Sequence, residues 1–150
     1  NLKERPAYGE TVIDLGAAPG GWSYSSSKEG AKVFAIDNGP LKDGAANNDS
    51  ILHIQEDGFT ITPAKLGGIT IDWFLCDMIE NPERVLKLLL KWIDNKWCNK
   101  FVINLKFGHH QPEKIISLID ESRLRDKTSY MKILHLFHDR QEFTIFGKIQ

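Results

Sequence analysis

The chain has 150 residues, of which 41% are hydrophobic and 26% charged, enough for one domain with a real core and too few for two domains of ordinary size. Nineteen Lys and Arg against 20 Asp and Glu leave no strong basic field that would draw the chain unaided to a polyanion. The absence of a secretory segment and of a bilayer-length apolar run predicts a cytoplasmic protein with no membrane partner. We expect one domain over 1–150 that is a fragment of a longer protein.

The first predicted strand, 11–15, is apolar except for Asp14 and leads through a glycine-rich turn into a helix that ends near Lys28. Glycines in this turn let the backbone bend tightly and approach a ligand without a Cβ in the way, and a proline costs little near a helix start. These residues are Gly16, Pro19, Gly20 and Gly21. The pattern is typical of a nucleoside cofactor site.

A second apolar run, 31–37, ends at Asp37, which follows Asp14 by 23 residues. That spacing is near the one at which an acid accepts both ribose hydroxyls of a bound nucleoside. An acid before the turn suits a ligand with a cationic amino-acid end, and S-adenosylmethionine is the common cofactor of that kind. A nicotinamide-dependent oxidoreductase is the rival. It is disfavoured because Ala18 stands where the dinucleotide fingerprint needs its second glycine, and because the chain offers no convincing hydride-transfer partner of the Tyr-x-x-x-Lys kind.

The remaining elements follow from hydrophobic period and from Gly and Pro positions. Residues 38–50 are turn formers and predict a mobile loop. Strands are predicted at 51–55, 69–76, 101–106, 131–137 and 142–146, and helices at 82–95 and 112–121. The last two strands are joined by too short a link for a crossover and therefore pair antiparallel. The fold predicted is α/β, a mostly parallel seven-stranded sheet with an antiparallel hairpin at its C-terminal edge.

Ligands of such sheets bind outside the carboxyl ends of the strands, where further candidate residues stand. Asp57 either accepts from an adenine amino group, with Phe59 packed on a ring, or is only a turn acid. Asp77 and Lys106 follow apolar strands and are expected to converge beside the cofactor.

Several strings in this chain resemble the FtsJ/RrmJ-type ribose 2′-O-methyltransferases. They are residues 14–23, 76–78, 104–106 and 140–142. The resemblance implies a Rossmann-like methyltransferase fold, S-adenosylmethionine as cofactor, RNA as substrate, and a catalytic Lys-Asp-Lys-Glu tetrad whose last three members match Asp77, Lys106 and Glu142. It also implies that Ala17 and Trp22, in the turn, contact the cofactor. The full set of expected cofactor-binding residues is Asp14, Gly16, Ala17, Pro19, Gly20, Gly21, Trp22, Asp37, Asp57 and Asp77.

Further strings are most similar to the bacterial members of this family that methylate a cytidine ribose of large-subunit rRNA. They are residues 36–40, 56–59, 73–78, 97–98, 104–106 and 138–140. The first tetrad lysine lies, in the family, on a helix before the first strand. Here only Lys3 precedes Asp14, and 11 residues are too few for a helix, a turn and a strand start. We expect that lysine, and an RNA-binding region, to lie upstream of this chain.

The chemistry gives Lys106 two alternative states. A ribose hydroxyl is a poor nucleophile until its oxygen is assisted and placed in line with the methyl group. Desolvation would make Lys106 a base, whereas Asp77 and Glu142 would keep it charged, so that it stabilises the developing alkoxide. We favour the charged state. A non-catalytic cofactor- or RNA-binding protein is the second alternative.

The remaining histidines, cysteines, tryptophans and basic residues support only weaker predictions. His109 and His110 are adjacent and lack a third ligand, so no metal site is expected. His135 and His138 are assigned no chemistry. Cys76 and Cys98 are expected to be buried thiols, and Trp73, Trp92 and Trp97 to belong to the core. Candidates for RNA contacts are Phe107, His109, His110, Arg123, Arg125, Lys127 and Arg140, with a merely charged surface the favoured alternative for Arg123 and Arg125.

Overall fold

The computed structural model describes residues 4–108, 111–135 and 141–150. The chain divides into two compact units, residues 1–77 and 78–150. Its seven strands form a mixed sheet that is parallel in the first unit and antiparallel among the C-terminal strands. The predicted fold class is therefore confirmed.

The first unit is built on four parallel strands. They are β1 Thr11–Leu15, β2 Lys32–Ile36, β3 Ile51–Ile54 and β4 Ile71–Cys76. Within the unit the strand order is β3-β2-β1-β4, so the carboxyl ends of all four strands meet at one edge. Helix α1, Gly21–Lys28, connects β1 to β2, and the short helix α2, Asp43–Ala46, precedes β3. The predicted strand-helix-strand unit with an acid at each strand end is present.

The second unit combines two amphipathic helices with three antiparallel strands. They are α3 Pro82–Asp94, β5 Cys98–Lys106, α4 Pro112–Ser122, β6 Thr128–Leu134 and β7 Glu142–Ile149, with strand order β5-β7-β6. Pro82 opens α3 as predicted, and the side chain of Asn81 caps the helix by accepting the Glu83 N–H at 2.9 Å. The apolar side of α3 is buried at Val85, Leu86, Leu88, Leu89, Trp92 and Ile93.

The predicted core is largely correct. Trp73 and Trp92 are buried, and both cysteines are buried free thiols. Burial raises the pKa of the Cys98 thiol to about 12, so this thiol is protonated and unreactive at neutral pH. The prediction that Trp97 belongs to the core is wrong, because this residue is only half-buried. It stands edge-on to Trp92, with ring centroids 5.3 Å apart, and the Lys91 ammonium lies 5.6 Å from its ring centre.

One short helix was missed, and several strand boundaries were predicted wrongly. The 38–50 segment contains α2, which forms because Ala45 is buried against the first turn of α1. β5 begins at Cys98 and β7 continues to Ile149, since polar residues such as Lys100 and Lys148 pair across the ladder although no apolar run includes them. β6 begins at Thr128 and ends at Leu134, where 131–137 was predicted. None of the helices in the described ranges is both long and apolar enough to cross a bilayer.

Candidate active site

The turn after β1 is held across the edge of the first unit by backbone hydrogen bonds. The N–H groups of Gly16 and Ala17 both donate to the carbonyl of Ile36, at 2.9 and 3.3 Å. Gly16 adopts a φ of +73°, a conformation that side chains disfavour. The turn therefore lies directly over the end of β2, beside Asp37.

Gly20 is required where the turn enters α1. Its φ is +118°, and a Cβ at this position would lie 2.4 Å from the Cβ of Ala45. The Lys42 N–H also donates to the carbonyl of Pro19 at 2.8 Å, which fixes the 41–46 segment against the turn. Gly20, the N-cap residue of α1, makes no side-chain cap hydrogen bond, whereas the backbone N–H of Ser23 in the first turn interacts with the Asp14 carboxyl. Gly21 and Trp22, the first two residues of α1, are exposed and half-buried.

Asp14 is the most perturbed group of the first unit. It is 1% exposed, and its Oδ2 accepts the Ser23 hydroxyl at 2.7 Å. Burial raises its pKa to about 7, an effect that the Ser23 hydrogen bond opposes and that the nearby carboxylates of Asp77 and Asp37 reinforce. Three of the predicted acids thus influence one another at the same edge. A cation placed there would relieve their repulsion.

Asp37 connects two turns through its carboxylate. Its Oδ2 accepts the Ala18 N–H at 3.0 Å and its Oδ1 the Gly39 N–H at 2.7 Å. The ring of His53, a residue that the sequence interpretation missed, lies with Nε2 2.9 Å from the Asp37 carbonyl oxygen. Each carboxylate oxygen can accept a second hydrogen bond, so the arrangement is compatible with a ribose held at the outer lone pairs.

Asp57 has the geometry of a turn acid. It is exposed, its Oδ1 accepts the Phe59 N–H at 2.9 Å, and its carbonyl accepts the Thr60 N–H at 3.1 Å. This local role accounts for the residue without a ligand. A contact to adenine stays a prediction, for which the second carboxylate oxygen is the candidate acceptor.

The second unit brings Lys106 and Glu142 together. They are directly opposite each other in the β5–β7 ladder, and the distance from Lys106 Nζ to Glu142 Oε2 is 3.3 Å. The lysine side chain is 32% exposed and the glutamate 11%, so a largely buried carboxylate holds an ammonium that still reaches solvent. Such a group can donate hydrogen bonds to an oxygen that gains negative charge.

The residues that follow Lys106 and Glu142 in the chain belong to an aromatic cluster on the opposite face of the ladder. Phe107 and Phe143 are the chain neighbours of Lys106 and Glu142, and their ring centroids are 4.9 Å apart. His135 contacts both rings, at 5.7 and 5.2 Å between centroids. The alternation Met131, Ile133, His135, which runs one residue beyond the end of β6, is the sequence signal that would have placed His135 there.

Other predicted residues are less informative. Arg123 donates to Asp126 at 2.8 Å and Lys127 to Asp94, an arrangement typical of a charged surface. Lys3, His109, His110, His138 and Arg140 lie outside the described residues. Within 4–108, 111–135 and 141–150, no group of three or more His, Cys, Asp or Glu could hold a metal ion.

The parallel unit, with its glycine-dependent turn and its cluster of acids, has the Rossmann-like fold that is found in methyltransferases. Aeropyrum pernix fibrillarin, solved with natively bound S-adenosyl-L-methionine, has this fold. Its TM-score with this chain is 0.70 at 17% identity, over 97% of this chain and 70% of fibrillarin. The chain belongs to the FtsJ-like methyltransferase family, whose model matches residues 2–136. The family predicted from the sequence is thereby confirmed.

Two curated relatives are similar over most of the chain. Ribosomal RNA large subunit methyltransferase M of Pasteurella multocida is 39% identical over 139 residues, which are 89% of this chain. The protein of the same name from Actinobacillus pleuropneumoniae serotype 3 is 40% identical over 140 residues, or 90% of the chain. The chain spans 38% of the length of each of these relatives.

Proposed function

We propose that this chain transfers the methyl group of S-adenosylmethionine to a ribose 2′-hydroxyl of RNA, with bacterial large-subunit rRNA as the substrate. The Lys106–Glu142 pair is the observation that carries the proposal, because it offers a fixed ammonium at the end of β5. Membership of the FtsJ-like family and similarity to the large subunit methyltransferases support it. Methylation of rRNA would take place in the cytoplasm.

The first unit offers the features that the cofactor needs. The methionine end of S-adenosylmethionine carries a sulfonium and an ammonium. Asp37 and Asp77 supply negative charge at one edge, and Asp14, whose pKa is about 7, adds to it when it ionises. The turn from Gly16 to Gly21 allows close approach of the ligand to the backbone. Ala17, Pro19 and Trp22 are proposed to line the same site. When bound, the cofactor supplies an electrophilic methyl group.

The residues of the second unit act on the nucleophile. Glu142 keeps the Lys106 ammonium in place, and Lys106 donates a hydrogen bond to the ribose 2′-oxygen. As the oxygen–carbon bond forms and the carbon–sulfur bond breaks, negative charge on the oxygen is stabilised and the hydroxyl proton passes to water. Asp77 is proposed as the third member of this group. RNA is thus positioned rather than covalently attached.

The test is transfer of a radiolabelled methyl group to large-subunit rRNA, with digestion of the product in alkali. A 2′-O-methylated ribose protects its 3′ phosphodiester, so label in alkali-resistant dinucleotides identifies ribose as the acceptor. Lys106→Met is expected to abolish transfer while titration calorimetry shows unchanged affinity for S-adenosylhomocysteine. Lys132→Met, which removes an exposed lysine of β6, is the matched control. Label only in alkali-labile nucleotides would indicate base methylation and contradict the proposal.

A further inference from the structure

The end of the parallel ladder between β2 and β3 leaves one backbone carbonyl without its usual partner. In a parallel pair, the N–H and the carbonyl of one residue bond to two residues of the neighbouring strand that are two positions apart. The Asp37 N–H donates to the carbonyl of Ile54 at 3.1 Å, so the Asp37 carbonyl would next accept from the N–H of Glu56. The Glu56 N–H instead turns back to the Ile54 carbonyl, at 3.0 Å. The backbone after β3 therefore leaves the ladder at Asp37.

The side chain of His53 takes the place of that missing N–H. Its Nε2 lies 2.9 Å from the Asp37 carbonyl oxygen. Because a carbonyl oxygen only accepts hydrogen bonds, Nε2 carries the ring proton. His53 is directly opposite Ala35 in the β2–β3 ladder, two residues before Asp37, and Ala35 is fully buried and has only a methyl side chain. The imidazole thus adds one hydrogen bond to the ladder past the ends of both strands.

The hydrogen bond from His53 ties Asp37 to a third segment of the chain. The carboxylate of Asp37 is already held by the N–H groups of Ala18 and Gly39, at 3.0 and 2.7 Å. Those two bonds come from the turn after β1 and from the loop after β2, whereas the imidazole belongs to β3. The bound carbonyl is part of the peptide that leads to Asn38, so its orientation also directs this loop. Without a donor, the partly buried carbonyl would lose a hydrogen bond and this peptide could rotate.

We propose that His53 is a positioning residue of the cofactor site. It fixes the main chain of Asp37 and so sets the place of the carboxylate that receives the ribose. The ribose contact rests on the function proposed above, whereas the fixation of Asp37 rests on the His53 contact itself. His53 acts through Asp37, so its loss should weaken the binding of adenosyl ligands only as long as residue 37 is an aspartate.

The experiment compares two unbranched replacements of similar length, His53→Met and His53→Gln, of which only glutamine keeps an N–H donor. By titration calorimetry with S-adenosylhomocysteine, His53→Met should bind at least about tenfold more weakly than the unmodified chain, and His53→Gln within about threefold of it. In an Asp37→Asn background, His53→Met should cost little further affinity, because the two residues act as one unit. Leu52→Met, which changes an exposed neighbour on the opposite face of β3, is the control and should bind normally.

Two measurements on the free chain test the fixation without any ligand. The ¹⁵N shifts of the His53 ring should show a protonated Nε2, and the Gly39 N–H should exchange with solvent faster in His53→Met than in His53→Gln. A bare Nε2, equal Gly39 exchange, unchanged affinity in His53→Met or an equal loss in both Asp37 backgrounds would each overturn the proposal. If the unmodified chain bound no adenosyl ligand, the proposed function would fail, and the ring proton and Gly39 exchange would still decide whether His53 fixes Asp37.

Discussion

The hydroxyl of Ser23 donates to the buried carboxyl of Asp14 at 2.7 Å and thereby ties the first turn of α1 to the interior of β1. Ser23 is itself fully buried. This bond joins the two elements that flank the glycine-rich turn, so the shape of the turn depends on the state of one carboxyl group.

The stability of the fold should therefore depend on pH through Asp14. Its pKa is about 7 in the folded chain and 3.8 ordinarily, so the folded state holds a proton that the unfolded chain releases between those values. The contribution of Asp14 to the free energy of unfolding is thus full below pH 3.8 and declines as pH rises to about 7. Urea unfolding of the unmodified chain and of Asp14→Asn, from pH 4 to 8, isolates this contribution. An equal pH dependence in the two proteins would contradict it.

Replacement of Gly20 and of Gly21 by alanine should change the stability of the fold in opposite directions. Gly20→Ala puts a Cβ at a φ of +118° and 2.4 Å from Ala45, so we expect destabilisation by more than about 1 kcal/mol. A Cβ on Gly21 meets nothing within 4 Å, and alanine there favours α1 by up to about 1 kcal/mol. Thermal unfolding of the two variants is the measurement. Equal melting temperatures would show that the turn can relax.

Asp37→Asn should weaken the binding of adenosyl ligands. An amide has one oxygen, so either the Ala18 or the Gly39 N–H loses its acceptor, and a ribose hydroxyl loses a charged partner. We expect at least about tenfold lower affinity for S-adenosylhomocysteine by titration calorimetry. Asp49→Asn, which changes an exposed acid of the same unit, is the control and should bind normally. If Asp37→Asn bound S-adenosylhomocysteine as tightly as the unmodified chain, Asp37 would not be the residue that holds the ribose.

Glu142→Gln should lower turnover without lowering cofactor affinity. The neutral amide no longer holds the Lys106 ammonium by charge, so we expect a loss of about tenfold or more in the methyl-transfer rate. The exposed Glu121→Gln provides a control with the same change of charge. If Glu142→Gln retained full activity, Lys106 would act without this partner.

The sequence interpretation succeeded where local chemistry decides the structure. Glycines that must adopt positive φ and acids at the ends of apolar runs are visible in a few consecutive residues, as from Asp14 to Gly21. The interpretation failed where contacts between residues far apart in the sequence decide the structure. The hydrogen bond from the Thr144 hydroxyl to Asn104 Oδ1 joins residues 40 positions apart, and α2 depends on burial of Ala45 against another helix. Neither depends on a local pattern, so only the folded chain reveals them.

The direct pairing of Lys106 with Glu142 also limits how this region can change length. A single residue inserted between Glu142 and Phe143 would leave the rest of the β5–β7 ladder in register but turn Glu142 away from Lys106. Insertions ahead of Glu142 would leave its alignment with β5 intact, because the seven cross-strand residue pairs from Lys100 to Lys106 fix it. Length variation that preserves the chemistry is therefore expected before β7 and excluded at its first residues.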